Sequence, residues 1–352
     1  MSDQEKVGKP DEGLRQYLIE EFLEDYQHGQ MTRRDALKRI AGIVGSLVLA
    51  ENLLAACAPV AAPTAPAPMA TTASTQPPAT PVPPTAPPAP PTSAPTATSA
   101  PQATATTASS GATGITVRPD DPTLEAGPVQ FPGQGATILG YLARPKGNGP
   151  FPAVLVCHEN RGLLEHIKDV ARRAAKAGYV GLAVDLLSRQ GGTDKIADAA
   201  QVPGLLSNSP AQQLVQDFRD GMTYLQSQSF VVKDRIGMVG FCFGGGITWR
   251  CATQIPELAA AVPFYGPNPP LEDVPKIKAA VLAMYGELDT RITSGAAAIE
   301  EAMKKNNKTF EKIIYPKANH AFHNDTGANY SPEAAKDAWA KTLAWFDKYL
   351  KA

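Results

Sequence analysis

The chain has 352 residues, with 33 Lys and Arg against 34 Asp and Glu, which gives a formal net charge of −1. Charged residues make up only 19% of the chain and form no block of one sign, so we do not expect a nucleic-acid-binding surface. Four cysteines in a chain of this length exclude a small disulfide-rich scaffold.

The first 57 residues have the pattern of an export signal. A polar, acidic stretch leads into T-R-R-D-A-L-K at 32–38, and the apolar run at 40–50 that follows is too short to span a bilayer comfortably. We therefore assign residues 1–57 to a signal and not to the fold. The alternative is an ordinary amphipathic helix followed by a chance cysteine.

Two motifs within this segment are similar to known targeting sequences. T-R-R-x-A-L-K resembles a twin-arginine signal, with Ala36 where phenylalanine is usual. L-A-A-C at 54–57 resembles a bacterial lipobox, which implies that Cys57 is lipidated. We expect an exported protein that is anchored to the cell membrane through this residue.

Residues 58–113 consist almost entirely of Ala, Pro, Thr and Ser. Such a composition cannot bury enough apolar surface to offset the entropy of ordering. We predict a disordered, proline-stiffened linker that separates the signal from a single domain at 114–352.

Residues 114–352 alternate between buried strands and amphipathic helices. The predicted strands are 137–144, 151–159, 179–185, 235–241, 258–265, 279–286 and 312–315. The predicted helices are 166–178, 211–225, 243–253, 293–306 and 331–350. Continuous apolar strands that alternate with helices predict an α/β fold with a mostly parallel sheet covered on both faces.

Polar residues lie at the end of the predicted strands or shortly after it. They are H-E-N-R-G at 158–162, Asp185, Cys242, Asp289 and His320. In parallel sheets these ends lie at one edge, where ligands bind. We therefore expect the candidate site at this edge.

The sequence G-F-C-F-G at 240–244 has the form of a nucleophile elbow, in which glycines permit a sharp turn from strand to helix. At this turn the N–H of Phe243 would point at an oxyanion, and the helix N-terminus would lower the thiol pKa. Cys242, Asp289 and His320 follow one another in the chain order of α/β-hydrolase triads. His320 would accept the thiol proton, and Asp289 would orient the imidazole.

Alternatives remain open for several of these residues. Cys242 could be a buried structural cysteine, although its flanking glycines favour a nucleophile. His323 is the rival base, and Glu287 is the rival acid. Glu159 could simply pair with Arg161 at the surface.

Four motifs together resemble the dienelactone hydrolase family of α/β-hydrolases over residues 129–350. They are H-E-N-R-G at 158–162, G-F-C-F-G-G at 240–245, G-E-L-D at 286–289 and A-N-H-A-F at 318–322. The resemblance implies an α/β-hydrolase fold and a Cys-Asp-His triad. It also implies hydrolysis of a small ester or lactone through an acyl-enzyme, with no metal and no organic cofactor.

The resemblance assigns two further residues and raises one question. It implies that Glu159 helps to activate the thiol, and that the backbone N–H of Asn160 completes the oxyanion hole. Dienelactone hydrolases proper bind the substrate carboxylate with arginines, one of them shortly after the catalytic histidine. Here His320 is followed by A-F-H-N, without an arginine.

Other side chains could contact the substrate instead. Arg161, Arg189 or Arg291 could supply the missing positive charge, and Tyr265 could line the pocket. We expect a monomer that acts on a small molecule. No histidine pair has zinc-site spacing, so we expect no metal.

Rival functions also remain. A thioesterase or a general carboxylesterase is the alternative enzyme, and a non-catalytic binding domain is the alternative of another class. A thiol redox protein would need a second cysteine close to Cys242 in sequence, as in C-x-x-C, and there is none. We expect Cys157 and Cys251 to be core residues.

Overall fold

The computed structural model describes residues 10–56 and 116–351. Its strands are β1 Leu124–Gly133, β2 Ala136–Pro145, β3 Phe151–Cys157, β4 Val180–Asp185, β5 Val231–Phe241, β6 Ala260–Phe264, β7 Ala280–Gly286 and β8 Phe310–Tyr315. Its α-helices are α1 Glu12–Gln27, α2 Arg33–Val44, α3 Leu47–Ala56, α4 Glu165–Lys176, α5 Val202–Ser207, α6 Ala211–Ser227, α7 Phe243–Gln254, α8 Thr290–Thr293, α9 Ala296–Lys305 and α10 Pro332–Phe346. The predicted linker at 58–113 and the predicted lipidation site Cys57 lie outside these residues.

The eight strands form one sheet in the order β1-β2-β4-β3-β5-β6-β7-β8. β1 pairs antiparallel with β2, and β2 pairs antiparallel with β4. All other neighbouring strands are parallel, from β4 through β3 to β8. The predicted mostly parallel α/β sheet is therefore confirmed.

The central strands form because their sequences are apolar without alternation. Every residue of β4, β6 and β7 is buried, as expected for strands covered on both faces. The helices cover them with apolar stripes, and α4 buries Ile167, Val170, Ala171 and Ala174. All seven strands and all five helices predicted from the pattern appear, with ends that differ by a few residues.

The pattern does not predict the edge strand β1. Pro128 and Pro132 interrupt its sequence, L-E-A-G-P-V-Q-F-P-G. Proline cannot donate a ladder hydrogen bond, so it is tolerated mainly on edge strands. β1 pairs only with β2, and this position explains how the prolines are accommodated.

The N-terminal helices are part of the same compact unit as the sheet. Helix α1 begins after Asp11, whose carboxylate accepts a hydrogen bond from the N–H of Leu14 as an N-cap. The helix buries Leu14, Tyr17, Leu18 and Phe22 at helical spacing. Our expectation that this segment lies outside the fold is therefore wrong for residues 10–56.

Specific contacts hold the N-terminal helices in place. Asp11 accepts a hydrogen bond of 2.8 Å from Nε of Arg250 in α7, and Arg15 donates to the carbonyl of Ile43 at 2.8 Å. α2 packs against α5 so closely that a Cβ on Gly204 would lie 2.7 Å from the backbone of Gly42. In the described part of the chain, no helix combines the length and the hydropathy needed to cross a bilayer. Export by this segment stays a prediction.

Candidate active site

Cys242 lies in the turn between β5 and α7, in a backbone conformation that non-glycine residues rarely adopt. Its φ is 58° and its ψ is −122°, outside the regions that sterics favour for L-residues. The glycines that follow leave room for this turn, since a Cβ on Gly244 would lie 2.7 Å from the carbonyl oxygen of Cys157. The turn places the thiol at the N-terminus of α7.

Asp289 and His320 lie together beside this turn. Asp289 follows β7 and is 1% exposed, whereas His320 follows β8. Nδ1–H of His320 donates to the Asp289 carboxylate over 2.6 Å, which leaves Nε2 free to face the thiol. A ring nitrogen of His320, the Cys242 sulfur and a Glu21 oxygen all lie within 4.8 Å of one another.

The two predicted oxyanion donors lie at the same edge. Phe243 is the first residue of α7, so its N–H has no acceptor within the helix. Asn160 lies three residues beyond β3 and is buried. The sequence assigned Asn160 only a backbone role, but its side chain donates to Glu21 over 2.7 Å.

Glu159 is buried in the same cavity, and burial raises its pKa. Its carboxylate accepts a hydrogen bond of 2.7 Å from the side-chain amide of Asn324. The alternative, a surface pair between Glu159 and Arg161, does not occur among the ion pairs of the described residues, where Glu159 is buried.

The side-chain partners of the Cys242 thiol include two residues of α1. The hydroxyl of Tyr17 lies 3.2 Å from Sγ and 3.4 Å from Nε2 of His320. The carboxylate oxygens of Glu21 lie 3.6 and 3.7 Å from Sγ. We did not predict either residue from the sequence, although the buried spacing Leu14, Tyr17, Leu18, Glu21 is a helical signal that was available.

Burial and charge set the ionisation of the site. Burial raises the pKa of the Cys242 thiol, and Glu21 raises it further, while His320 lowers it. Burial lowers the pKa of His320, but the charge and hydrogen bond of Asp289 outweigh burial and raise it well above its usual range. An imidazolium beside the thiol favours the thiolate, whereas the Glu21 carboxylate opposes it.

A cavity of ≈ 350 Å³ opens onto these groups. Cys242, His320, Glu159 and Asn160 contribute to its walls, as do the arginines 39, 161 and 291. The opposite wall is acidic and comes from α1 through Glu21, Glu24 and Asp25. Burial raises the pKa of Asp25 to about 6, and the neighbouring Glu21 adds to this shift.

Two of the predicted substrate contacts are wrong. Arg189 pairs with the buried Asp217 at 2.7 Å and lines another cavity, because it follows β4 on the side where α6 packs. Tyr265 is fully buried behind His320, with ring centroids 5.0 Å apart, and it does not line the catalytic cavity. Arg161 and Arg291 do line it.

The rival residues occupy other environments. His323 is buried against Phe241, with ring centroids 4.9 Å apart, and burial lowers its pKa well below the usual range. Glu287 is exposed and accepts a hydrogen bond from the N–H of Lys317. Cys157 and Cys251 are buried free thiols.

One group of possible metal ligands occurs among residues 10–56 and 116–351, namely Glu21, Cys242 and His320. Sulfur, nitrogen and oxygen donors of this kind suit zinc. The Tyr17 hydroxyl, however, lies within 3.4 Å of both the sulfur and the imidazole. That the protein uses no metal stays a prediction.

The part of the chain that carries the sheet has relatives among known proteins. The profile of the dienelactone hydrolase family matches residues 138–350. A protein of Methylorubrum extorquens, provisionally named carboxymethylenebutenolidase, is 36% identical over 246 residues, which cover 66% of this chain and 84% of that protein. An Escherichia coli K12 protein with the same provisional name is 35% identical over 248 residues, covering 67% and 91% of the two chains.

The chain belongs to the dienelactone hydrolase family. The predicted resemblance is thereby confirmed, and with it the prediction of an enzyme that acts on esters. Among solved structures, a provisionally assigned dienelactone hydrolase from Klebsiella pneumoniae is 36% identical and superposes with a TM-score of 0.60, covering 64% of this chain and 99% of its own. Dienelactone hydrolase from Anabaena variabilis, at 20% identity and a TM-score of 0.53, has the same fold. The predicted α/β-hydrolase fold is confirmed.

The Asp289→Asn substitution tests the electrostatics of the site. Because the Asp289 carboxylate raises the pKa of His320, we expect its removal to lower that pKa, measured by NMR titration of the imidazole. A raised histidine pKa stabilises the fold below the unfolded-state value of about 6.5, and this contribution is lost as the pH rises through the folded-state pKa. The variant should therefore lose most stability at acidic pH.

Asp337→Asn is the matched control, since this aspartate pairs with Lys341 and Tyr315 away from the site. It should leave the titration of His320 unchanged. An Asp289→Asn variant whose His320 titrates as in the wild type would contradict the proposed coupling.

Proposed function

We propose that this protein hydrolyses a small ester or lactone through an acyl-enzyme on Cys242. The observation that carries the proposal is the convergence of a thiol at the N-terminus of α7 with a His–Asp pair joined by a 2.6 Å hydrogen bond. A buried cysteine with a purely structural role needs neither the strained turn nor the charged partner.

In the acylation step, Nε2 of His320 accepts the thiol proton and Sγ attacks the carbonyl carbon. The carbonyl oxygen becomes an oxyanion, which the N–H groups of Phe243 and Asn160 stabilise. The carbon–oxygen bond to the leaving group then breaks, and the imidazolium gives its proton to the departing alkoxide. The products are an alcohol and a thioester on Cys242.

In the deacylation step, His320 accepts a proton from water, and the resulting hydroxide attacks the thioester carbonyl. The carbon–sulfur bond breaks, the thiolate regains the proton from His320, and the carboxylic acid leaves. Asp289 stabilises the imidazolium in both steps. Glu159, held by Asn324, adds a negative charge near the thiol, and we assign it a role in tuning the nucleophile.

The Cys242→Ala substitution tests the nucleophile. Removal of the sulfur prevents acylation, so we expect release of p-nitrophenol from p-nitrophenyl acetate to fall to the uncatalysed rate. Mass spectrometry of the wild type should show the acetyl group on the peptide that contains Cys242. The matched control is Cys251→Ala, a buried cysteine of the same helix, which should retain both turnover and acetylation. Turnover that survives Cys242→Ala would refute the mechanism.

Two arginines in the cavity wall support an anionic substrate. Arg291 is largely buried and sits beside Glu21 and Glu24 at 3.9 and 3.2 Å. Arg161 lines the same cavity. A guanidinium binds a carboxylate in a bidentate manner, so we propose that these residues take the carboxylate of a substrate such as a dienelactone. Arg291 in α8 would then supply the positive charge that an arginine after the catalytic histidine provides in dienelactone hydrolases proper.

Arg291→Met tests this assignment. Charge-assisted hydrogen bonds contribute roughly 1.5–3 kcal/mol, so we expect kcat/KM for an ester with a free carboxylate to fall by at least about tenfold relative to the matched neutral ester. We compare the ratio of kcat/KM for the two esters, because effects of the substitution on the rest of the cavity change both values and cancel in the ratio. Arg118→Met, at an exposed pair with Asp120, should leave the ratio unchanged. An unchanged ratio for Arg291→Met would exclude Arg291 as the anion site.

We also propose that residues 1–57 direct export and that Cys57 anchors the protein to the outer face of the cell membrane. The twin arginines at 33 and 34 and the motif L-A-A-C at 54–57 support this proposal. The arginine pair precedes the apolar run at 40–50 and the L-A-A-C motif follows it, which is the order of a lipoprotein signal.

Two substitutions test the export proposal in a bacterial host. The wild type should appear in the membrane fraction, and Cys57→Ser should lose lipidation because serine has no thiol. Replacement of both Arg33 and Arg34 by Lys should keep the chain in the cytoplasm, whereas Arg39→Lys, outside the pair, should not. Wild-type protein that stays unlipidated in the cytoplasm would contradict the proposal.

A further inference from the structure

Helix α1 covers the reacting atoms of the site. Attack on an ester requires the carbonyl carbon to approach Sγ to about 3–3.5 Å. The Tyr17 hydroxyl already lies 3.2 Å from Sγ and 3.4 Å from Nε2 of His320. The tyrosine and a substrate carbonyl therefore exclude one another from this position.

Glu21 lies beside both the thiol and the side chain of Asn160. Its carboxylate lies 3.6 Å from Sγ at the nearer oxygen and accepts a hydrogen bond from the Asn160 side chain at 2.7 Å. Negative charge at this place opposes both the thiolate and an oxyanion. Unlike the imidazolium of His320, which favours the thiolate, the Glu21 carboxylate therefore destabilises the charges that the reaction develops.

The third contact occupies the candidate anion site. Nε of Arg291 donates to Glu24 over 3.2 Å, and its guanidinium lies 4.5 Å from the centre of the Tyr17 ring. The helix thus presents a carboxylate to the arginine and a hydroxyl to the Cys–His pair. These are the two positions where an anionic ester would bind.

We propose that α1 is an autoinhibitory helix that mimics the substrate, and that hydrolysis requires its displacement from the site. The proposal rests on the function proposed above. It concerns the regulation of the same site, and it assigns Tyr17, Glu21 and Glu24 to inhibition and not to catalysis.

The packing of α1 favours the docked state. Leu14, Tyr17, Leu18 and Phe22 are all buried, and burial of large apolar side chains is the main stabilising term in such contacts. Asp11 adds the ion pair with Arg250 at the start of the helix. Since the apparent activity equals the intrinsic activity multiplied by the undocked fraction, the full chain should be a slow enzyme.

The export proposal supplies a route for displacement. Cleavage of a lipoprotein signal at the predicted lipobox would remove residues 1–56 and, with them, α1. The enzyme would then be inhibited before export and active after it. An anionic ligand that competes with α1 for the site would expose the same groups as cleavage does. If that ligand is the substrate, the enzyme would show activation by substrate.

The experiment uses the full-length chain with two kinds of variant. Leu18→Asp places a charge at a position that is 0% exposed and should undock α1 without altering a residue that contacts the thiol. Tyr17→Ala combined with Glu21→Ala removes the blocking groups themselves. We expect each variant to raise kcat/KM for p-nitrophenyl acetate, and the rate at which iodoacetamide alkylates Cys242, by at least about tenfold.

Gln16→Ala is the matched control, because Gln16 lies on the exposed face of α1 and its side chain donates to the exposed Glu20. It should leave both rates unchanged. Far-UV circular dichroism and the Tm identify any variant that fails to fold, and the two variants are independent in this respect. A folded variant whose rates fall would show that α1 serves catalysis, and folded variants with unchanged rates would show that α1 does not block the site. Either result would overturn the proposal.

Failure of the proposed function has a different signature. If the folded variants alkylate faster at Cys242 but release no p-nitrophenol, α1 occludes the thiol and the ester hydrolase mechanism is wrong. If turnover rises but survives Cys242→Ala introduced into the Leu18→Asp chain, the nucleophile is wrong while inhibition by α1 stands. Peptide mapping separates Cys242 from the buried thiols of Cys157 and Cys251.

Discussion

The backbone of Cys242 is the constraint on which the rest of the site depends. A non-glycine residue at a φ of 58° costs on the order of 1–3 kcal/mol, and the neighbouring structure must hold it there. The buried end of β5 precedes it, and the first turn of α7 follows it directly. Because the turn fixes the sulfur at a helix N-terminus, the proposed base and acid must reach it from other strands. His320 and Asp289 do so from the loops after β8 and β7, which lie at the same edge of the sheet.

The charges of α1 and the cavity are complementary. Glu21 is 8% exposed, and a carboxylate at that depth needs partners. Asn160 supplies a hydrogen bond and Arg291 a positive charge 3.9 Å away. The same arginine is buried beneath Tyr17. The cavity and the helix therefore pair several of each other's charged groups, but Nη1 of Arg291 has no hydrogen-bond partner among the described residues. A substrate that displaces α1 must replace these interactions, and this requirement itself selects for a ligand with a carboxylate.

The catalytic domain could be predicted from the sequence because its signals are local. Continuous apolar strands identify the sheet, and G-x-C-x-G identifies the turn at Cys242 from the backbone freedom of glycine alone. Predictions failed where packing between residues distant in sequence determines the position of a side chain. Arg189 and Asp217 are 28 residues apart, and nothing near Arg189 in sequence indicates that a buried partner holds it away from the site. Tyr265 follows β6 at the correct edge, but its ring turns under His320. Helix α1 has a readable helical pattern, whereas its docking 225 residues away on Cys242 has no local signal.

The boundary of the family match separates two parts of this protein. All three proposed triad residues lie within residues 138–350, the part that matches the family profile, whereas α1 lies outside it. The proposed chemistry therefore belongs to the shared part, and a contact that only the preceding segment makes must modify that chemistry or be neutral to it. Neutrality is hard to reconcile with a hydroxyl 3.2 Å and a carboxylate 3.6 Å from the Cys242 sulfur, since both occupy space that the proposed substrate needs. Together with the contact of Glu24 with Arg291, these contacts connect the N-terminal segment to the proposed catalytic site.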